Sequence, residues 1–127
     1  MARKEFTFHG KSNEEIQKLS LNEFKELIPA NLRRSLERGM TYSAKRLLVK
    51  LEAGKVKVKT HARELPVLPI MIGKQIGIHN GREFIFVIIT TEMLGHRLGE
   101  FTYNRKRIQH SAPGIGATKG TGHVSVK

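Results

Sequence analysis

The side chains that could hold a metal ion or transfer protons are six histidines and eleven glutamates, and they form no compact motif. Glu92 and His96 are four residues apart and could meet on a helix, but two ligands without a third make a poor metal site. The chain has no Asp and no paired carboxylates, and Ser43 and Ser111 lack a neighbouring base motif. We therefore expect no catalytic site, no metal and no other cofactor.

A glycine-rich segment, residues 114–120, superficially resembles a phosphate-binding loop. It fails the P-loop spacing, which requires Gly immediately before Lys and Ser or Thr after it. Glycine also permits close backbone approach to a ligand, so the segment could thread between RNA helices. A tail that is disordered on its own is the alternative, and both interpretations stay open.

Positive charge is the strongest chemical signal of the chain. Its 127 residues carry a formal net charge of +12, and residues 29–127 supply the whole excess because the charges of residues 1–28 cancel. A strongly basic domain indicates a polyanion, and nucleic acid is the expected ligand. No basic amphipathic helix with a wide apolar face, membrane span or signal peptide is visible, so we expect no membrane contact. The absence of Cys excludes disulfides and fits a cytoplasmic protein.

Two basic clusters have spacings that suit phosphate contact. Arg33, Arg34 and Arg38 lie on one short predicted helix, and the excess of positive charge favours contact with phosphate. Lys57 and Lys59 alternate with valines, which places them on one face of a predicted strand, roughly 6.6 Å apart. An edge strand protected by lysine is an equally weighted interpretation of that pair.

The elements that must position these groups begin with short helices. The capping boxes Ser12-x-x-Glu15 and Ser20-x-x-Glu23 each predict a helix start. Pro29 is expected to end one helix or to be the first residue of the next, and Thr41 is expected to cap a last helix. Apolar spacing predicts the core-facing residues Ile16, Leu19, Phe24, Leu27, Ile28, Leu32, Leu36, Ala44, Leu47, Leu48 and Leu51, with helix ends at Gly39 and Gly54.

The apolar period changes from 3.6 to 2 over residues 55–60, which predicts a strand with its valines on one face. Asn80-Gly81 predicts a type I′ turn, with positive φ at both residues, between strands Gln75–His79 and Glu83–Thr90. The second of these strands is apolar on both faces, so we expect it to be covered on both sides. One cover would be the domain's own helices, and the other the N-terminal helices or a protein neighbour.

The last part of the chain loses this regular pattern. Arg105-Lys106-Arg107 is a basic run, and the glycine-rich residues behind it hold too few apolar groups to form a core. We predict a tail that orders only on a partner. Tyr103, beside the basic run, is the plausible side chain for stacking on an unpaired base.

The chain resembles a known family, most specifically from Ile78-His79-Asn80-Gly81-Arg82 to Gly95-His96-Arg97-Leu98-Gly99-Glu100-Phe101. Thr60, Arg63, Pro69 and Gly73, upstream of this stretch, belong to the same resemblance. This family is the universal small-subunit ribosomal protein S-nineteen family, which includes eukaryotic S-fifteen. The helical segment 33–39 and the tail segment 110–118 resemble its archaeal and eukaryotic members.

The chain departs from the family pattern at four places. Phe86 stands where proline is usual, Ile88 where a charged or polar residue is common, and Thr91 where proline is frequent. Thr102-Tyr103-Asn104 replaces a three-residue run that is more usually a small residue, then either proline or leucine, then threonine. The first two departures make the outer strand face more apolar.

The resemblance implies an α+β fold with a small three-stranded mixed sheet packed with helices. We expect a helical N-terminal extension over residues 1–54, an rRNA-binding core over 55–104 and an extended basic tail over 105–127. It also implies a structural role in the small ribosomal subunit, with binding to the 3′ major (head) domain of its rRNA. Further implied partners are the neighbouring protein S-thirteen and tRNA near the decoding region. We do not expect the protein to form homo-oligomers.

The residues expected to contact rRNA combine the two basic clusters with the polar groups that match the family. They are Arg33, Arg34, Arg38, Lys57, Lys59, His61, Arg63, His79, Asn80, Arg82, His96, Arg97, Arg105, Lys106 and Arg107. The tail residues expected to contact rRNA or tRNA are His110, Gly114, Gly116 and Lys119.

A helix-turn-helix-like DNA regulator in the first half of the chain is the alternative hypothesis. It would need a recognition helix aimed at base edges and usually a dimer, and it leaves the hairpin and tail without a use. An enzyme acting on RNA is a third hypothesis, for which no acid–base pair or metal set is visible.

Overall fold

The computed structural model describes residues 6–107 and, in the tail, Gly114, Lys119, Gly120 and Gly122. Within these residues four helices precede a three-stranded sheet: α1 (Asn13–Lys18), α2 (Leu21–Leu27), α3 (Ala30–Glu37), α4 (Tyr42–Glu52), β1 (Lys57–Thr60), β2 (Gln75–His79) and β3 (Phe84–Ile88). Three 3₁₀ turns, Pro69–Met71, Thr91–Met93 and Leu98–Phe101, connect the remainder. The predicted α+β class is confirmed.

The first two helices start where the capping boxes predict. Ser12 and Ser20 are the N-caps, and each hydroxyl accepts from the backbone N–H three residues on, while that residue's carboxylate accepts from the cap N–H. In the second box, the backbone and hydroxyl hydrogen bonds from Ser20 lower the pKa of Glu23. These local bonds begin helices of only six and seven residues, which would not persist alone.

The third and fourth helices differ slightly from the prediction at their starts. Pro29 is the N-cap of α3 instead of its first residue, and Thr41 caps α4 without a side-chain hydrogen bond. Gly39 and Gly54 directly follow the two helix C-caps with φ of 103° and 77°, as predicted for helix ends.

The sheet is mixed, with β2 in the centre. β1 pairs with β2 in parallel, and β2 pairs with β3 antiparallel. Val58, Ile76 and Ile78 lie on its inner face and are at most 4% exposed. They join one hydrophobic cluster with the apolar sides of all four helices, so helices cover only this face of the sheet.

Two sequence predictions about the sheet are wrong. Val56 lies before β1 and is 63% exposed, so the two valines do not share a buried face. β3 is shorter than predicted, and the described part of the chain leaves Ile88 61% exposed and Ile85 38% exposed. The N-terminal helices pack in the common core, and the cover of Ile88 by a protein neighbour stays a prediction.

The hairpin turn also differs from the prediction. Gly81 has φ of 100°, but Asn80 does not have positive φ, so a type I′ turn is excluded. His79 pairs with Phe84, and the four residues between them form the loop. The Asn80 side-chain oxygen accepts from the N–H groups of Arg82 (2.9 Å) and Glu83 (2.8 Å), which fixes the loop by an Asx-type turn.

Candidate nucleic-acid interface

The outer face of the sheet carries lysines that lie over aromatic rings. Lys57 and Lys59 are exposed on β1, the edge strand, as one of the two interpretations predicted. The Lys57 ammonium lies 4.5 Å from the centroid of the Phe86 ring, and the Lys59 ammonium lies 5.3 Å from that of Phe84. Such cation–π contacts hold the charges in place on an exposed surface.

Phe86 occupies this position because Gly77 lies beneath it. A Cβ built on Gly77 would be 2.8 Å from Cε1 of the Phe86 ring, so only glycine leaves room for the ring to lie across β2. The two residues face each other in the antiparallel register. The sequence identified Phe86 as unusual but not its dependence on Gly77.

Two histidines and a phenylalanine form a ring cluster at the end of this face. The rings of His61 and His79 are 4.4 Å apart, and each lies 5.0 Å or less from the ring of Phe84. His79 Nδ1 accepts from the N–H of Gly81 at 3.1 Å, which leaves its Nε2 as the donor nitrogen of the neutral ring. The structure therefore brings the predicted residues His61 and His79 together beside Lys59.

An open groove runs between the hairpin loop and the segment that leads into the tail. The loop wall consists of residues 80–83 with Ile85, and the opposite wall of residues 101–107. Arg82 is exposed on the first wall, and Arg105, Lys106 and Arg107 are exposed on the second. Tyr103, which is 83% exposed, stands among them. The groove thus offers a predicted stacking ring within a set of cations.

Arg63, in contrast, directs its charge into the protein. Its Nη1 donates to the carbonyl oxygen of His79 at 2.6 Å, and its Nη2 donates to those of Gly99 (2.8 Å) and Thr102 (2.6 Å). Gly99 permits this approach, because a Cβ there would lie 3.1 Å from the Arg63 Cβ. The predicted phosphate contact of Arg63 stays a prediction, and its backbone contacts were not foreseen.

The predicted arginine cluster of α3 also separates into two kinds of residue. Arg33 is half-buried and donates to the carbonyl oxygens of Lys25 (3.0 Å) and Ile28 (3.3 Å), at the C-terminal end of α2. Arg34 and Arg38 are exposed. A cation beside the free carbonyls of a helix end is favourable, so Arg33 has a structural function whether or not it meets phosphate.

His96 and Arg97 lie at the 3₁₀ turn Leu98–Phe101. His96 Nδ1 is 2.8 Å from Oε2 of Glu100, so its partner is not Glu92 as the sequence spacing had suggested. Oε1 of Glu100 accepts from the Arg97 N–H at 3.0 Å. That backbone hydrogen bond and the one with His96 lower the pKa of the Glu100 carboxyl.

Of the predicted tail contacts, Gly114 and Lys119 are exposed, while His110 and Gly116 lie outside the described residues. Over residues 6–107 and the four described tail positions, no three His or Glu side chains gather as a metal site. No helix in this part of the chain is long and apolar enough to cross a membrane.

Lys74 is a further residue that sequence reasoning missed. Its ammonium donates to the carbonyl oxygen of Leu51 at 2.8 Å, in the last turn of α4. This bond ties the start of β2 to the helix that packs beneath the sheet. No sequence signal would identify it, because the two residues are 23 positions apart and any residue offers a carbonyl.

These features define the class of the protein. Exposed cations line an open groove and one face of a sheet, on a small basic α+β fold, which is the arrangement of a phosphate-binding, nucleic-acid-associated protein.

Comparison with known proteins identifies the family. The family model described as Ribosomal protein S19 matches residues 34–110. Small ribosomal subunit protein uS19 of Methanococcoides burtonii is 42% identical over 123 residues, which cover 97% of this chain and 90% of that protein. The chain belongs to the ribosomal protein S19 family, and it is accordingly a structural, non-enzymatic constituent of the small ribosomal subunit that binds rRNA there.

Proposed function

We propose that this protein binds the 3′ major domain of small-subunit rRNA, in the head of the subunit. The groove carries this proposal, because Arg82 lines one wall and the run Arg105–Arg107 lines the other. An RNA strand within it would meet cations from both sides, which is how a protein positions a phosphate backbone. The outer sheet face, with Lys57 and Lys59, supplies a second set of contacts.

Two further partners belong to the same proposal. Protein S-thirteen contacts the chain, and the exposed apolar side chain of Ile88 is a surface that a protein neighbour would cover. The tail approaches tRNA near the decoding region, since the exposed basic segment 103–107 leads out of the core in front of it. Both assignments follow from the family resemblance together with these exposed groups.

The helix-turn-helix regulator is not supported. Leu32 and Leu36 of α3 are buried in the common core, and Arg33 is engaged at the end of α2. The family assignment gives the chain a different function, and no separate observation favours binding to DNA.

The experiment that tests the proposal is fractionation of tagged protein on a sucrose gradient, followed by sequencing of crosslinked RNA. We expect comigration with the small subunit and crosslinks in the 3′ domain of its rRNA. Crosslinks confined to another rRNA domain would overturn the head assignment. A photo-crosslinker at residue 88 tests the contact with S-thirteen in the same particles, and one at residue 119 tests the contact with tRNA.

A further inference from the structure

Arg63 connects the two walls of the groove through their backbones. Its guanidinium bonds the carbonyl of His79, which directly precedes the hairpin loop, and that of Thr102, which directly precedes the segment 103–107. These partners are 16 and 39 residues away in the sequence. One carbonyl directly precedes the first wall and the other lies within the second, so the same rigid group is bonded to both.

The second wall has few other polar ties near its start. Thr102 is 2% exposed, and its Oγ1 has no hydrogen-bond partner among the described residues. Its N–H reaches the Gly99 carbonyl at 3.4 Å, a long hydrogen bond, whereas Arg63 meets its carbonyl at 2.6 Å. Gly99 itself donates to the Arg63 carbonyl at 2.8 Å, so Arg63 is bonded to this segment at both ends.

We propose that Arg63 is a positioning residue for RNA binding: it fixes the width of the groove and does not contact phosphate. A planar guanidinium can bond three carbonyls from separate segments in a fixed geometry, which the point charge of a lysine cannot reproduce. This inference rests on the proposed rRNA binding. It reassigns a residue that the family resemblance alone would count among the RNA contacts.

The test compares the charge-conserving variant Arg63→Lys with wild type, on the full chain and an in vitro transcript of the rRNA 3′ major domain. We expect Arg63→Lys to bind about tenfold more weakly at every salt concentration, because a misplaced wall holds the same cations in a poorer geometry without removing any of them. The slope of log K against log salt should stay unchanged in Arg63→Lys and in Arg63→Gln. Arg82→Gln should reduce that slope by roughly 0.7 to 0.9, the value of one phosphate contact.

The matched control is Arg46→Lys, an exposed arginine of α4 away from the groove, which should bind as wild type. Wild-type affinity in Arg63→Lys, or a reduced slope in Arg63→Gln, would overturn the inference and restore Arg63 as a phosphate contact. If circular dichroism shows that Arg63→Lys is unfolded, the binding measurement is made with Gly99→Ala instead. Its Cβ would press on Arg63 at 3.1 Å without changing any charge, and the same loss is expected.

Hydrogen exchange of the free protein separates this inference from the proposed function. In Arg63→Lys, amides of loop 80–83 and of residues 102–104 should exchange faster together. If the exchange rates change in neither wall, or in only one of them, Arg63 does not couple the two walls. If wild type fails to bind the transcript while this exchange pattern appears, the rRNA assignment is wrong and the coupling of the two walls stands.

Discussion

Glu100 stabilises the turn that leads to the groove by accepting hydrogen bonds through both of its carboxylate oxygens. The pKa of its carboxyl is lowered from the ordinary 4.5, first by the Arg97 N–H and then by His96. A folded-state pKa below the unfolded value means that the ionised form stabilises the fold. That stability is present above the unfolded pKa and is lost as pH falls through the folded one.

We therefore expect Glu100→Gln to lower the free energy of unfolding at pH 7, by less than about 1 kcal/mol because the pair is exposed. The difference from wild type should shrink as pH falls below 4.5 and vanish once the wild-type carboxyl is protonated. Urea unfolding at pH 7 and pH 3 measures both values. Glu92→Gln, which changes a carboxylate without a hydrogen bond or ion pair among the described residues, is the control, and an equal effect there would count against the explanation.

The position of the Phe86 ring depends on the absence of a side chain at Gly77. Gly77→Ala should lower the free energy of unfolding by about 1 to 3 kcal/mol, because the new methyl group displaces the Phe86 ring. In a Phe86→Leu background, Gly77→Ala should lower the free energy of unfolding by much less. Thermal or urea unfolding of the four proteins gives this double-mutant cycle, and a cost that is the same in both backgrounds would show that the ring is not the cause.

At the scale of elements, the short helices depend on side chains that arrive from outside them. The last four carbonyls of a helix have no partner within the helix. Arg33, from α3, bonds carbonyls at the end of α2, and Lys74, beside β2, bonds the Leu51 carbonyl at the end of α4. The ends of α2 and α4 are thus joined to a neighbouring element, and α4 is also capped by its own backbone, where the Gly54 N–H donates to the Leu51 carbonyl.

The adjacent residues Arg33 and Arg34 allow a direct test of this point. Arg33→Ala should reduce the free energy of unfolding by about 1 to 3 kcal/mol, since it leaves half-buried carbonyls without their charged donor. Arg34→Ala, at an exposed position of the same helix, should stay within about 0.5 kcal/mol of wild type. Urea denaturation compares the two. Equal stabilities would show that the bonds of Arg33 add nothing to the fold.

At the scale of the whole molecule, five of the net +12 charges come from residues 105–127, which follow the part of the chain that holds the described core. Over residues 6–107 and the four described tail positions, the buried residues run from Ile16 to Thr102. Residues 105–127 hold five of the 23 Lys and Arg and no Glu, so a chain ending at 104 has formal net charge +7 in place of +12.

A chain truncated after residue 104 should therefore fold with a free energy of unfolding within about 0.5 kcal/mol of wild type. Its binding to the 3′-domain transcript should weaken, and the salt slope should fall by roughly 2 to 4, as expected for the loss of three to five phosphate contacts. Filter binding across a salt series measures the slope. A truncated chain with the wild-type slope would exclude the basic segment 105–107 and the residues behind it from phosphate contact.

The features that the sequence alone determined are those with local causes. The capping boxes at Ser12 and Ser20 bond residues three positions apart, so their sequence pattern is also their structure. The buried face of α4 follows from periodicity in the same way, and the strand Gln75–His79 was placed by the turn residues that follow it. The positive charge is a sum over composition, and it pointed to a polyanion before any fold was known.

The tertiary structure alone decided which cations of the described residues face outward. Arg33, Arg63 and Lys74 all bond backbone carbonyls, with partners from 5 to 39 residues away. Every residue carries a carbonyl, so no pattern of side chains marks such an acceptor in advance. Long-range packing of the segments around a carbonyl determines whether it meets an arginine. For that reason the sequence could identify the basic residues but could not separate those that bond the backbone from those that stay exposed.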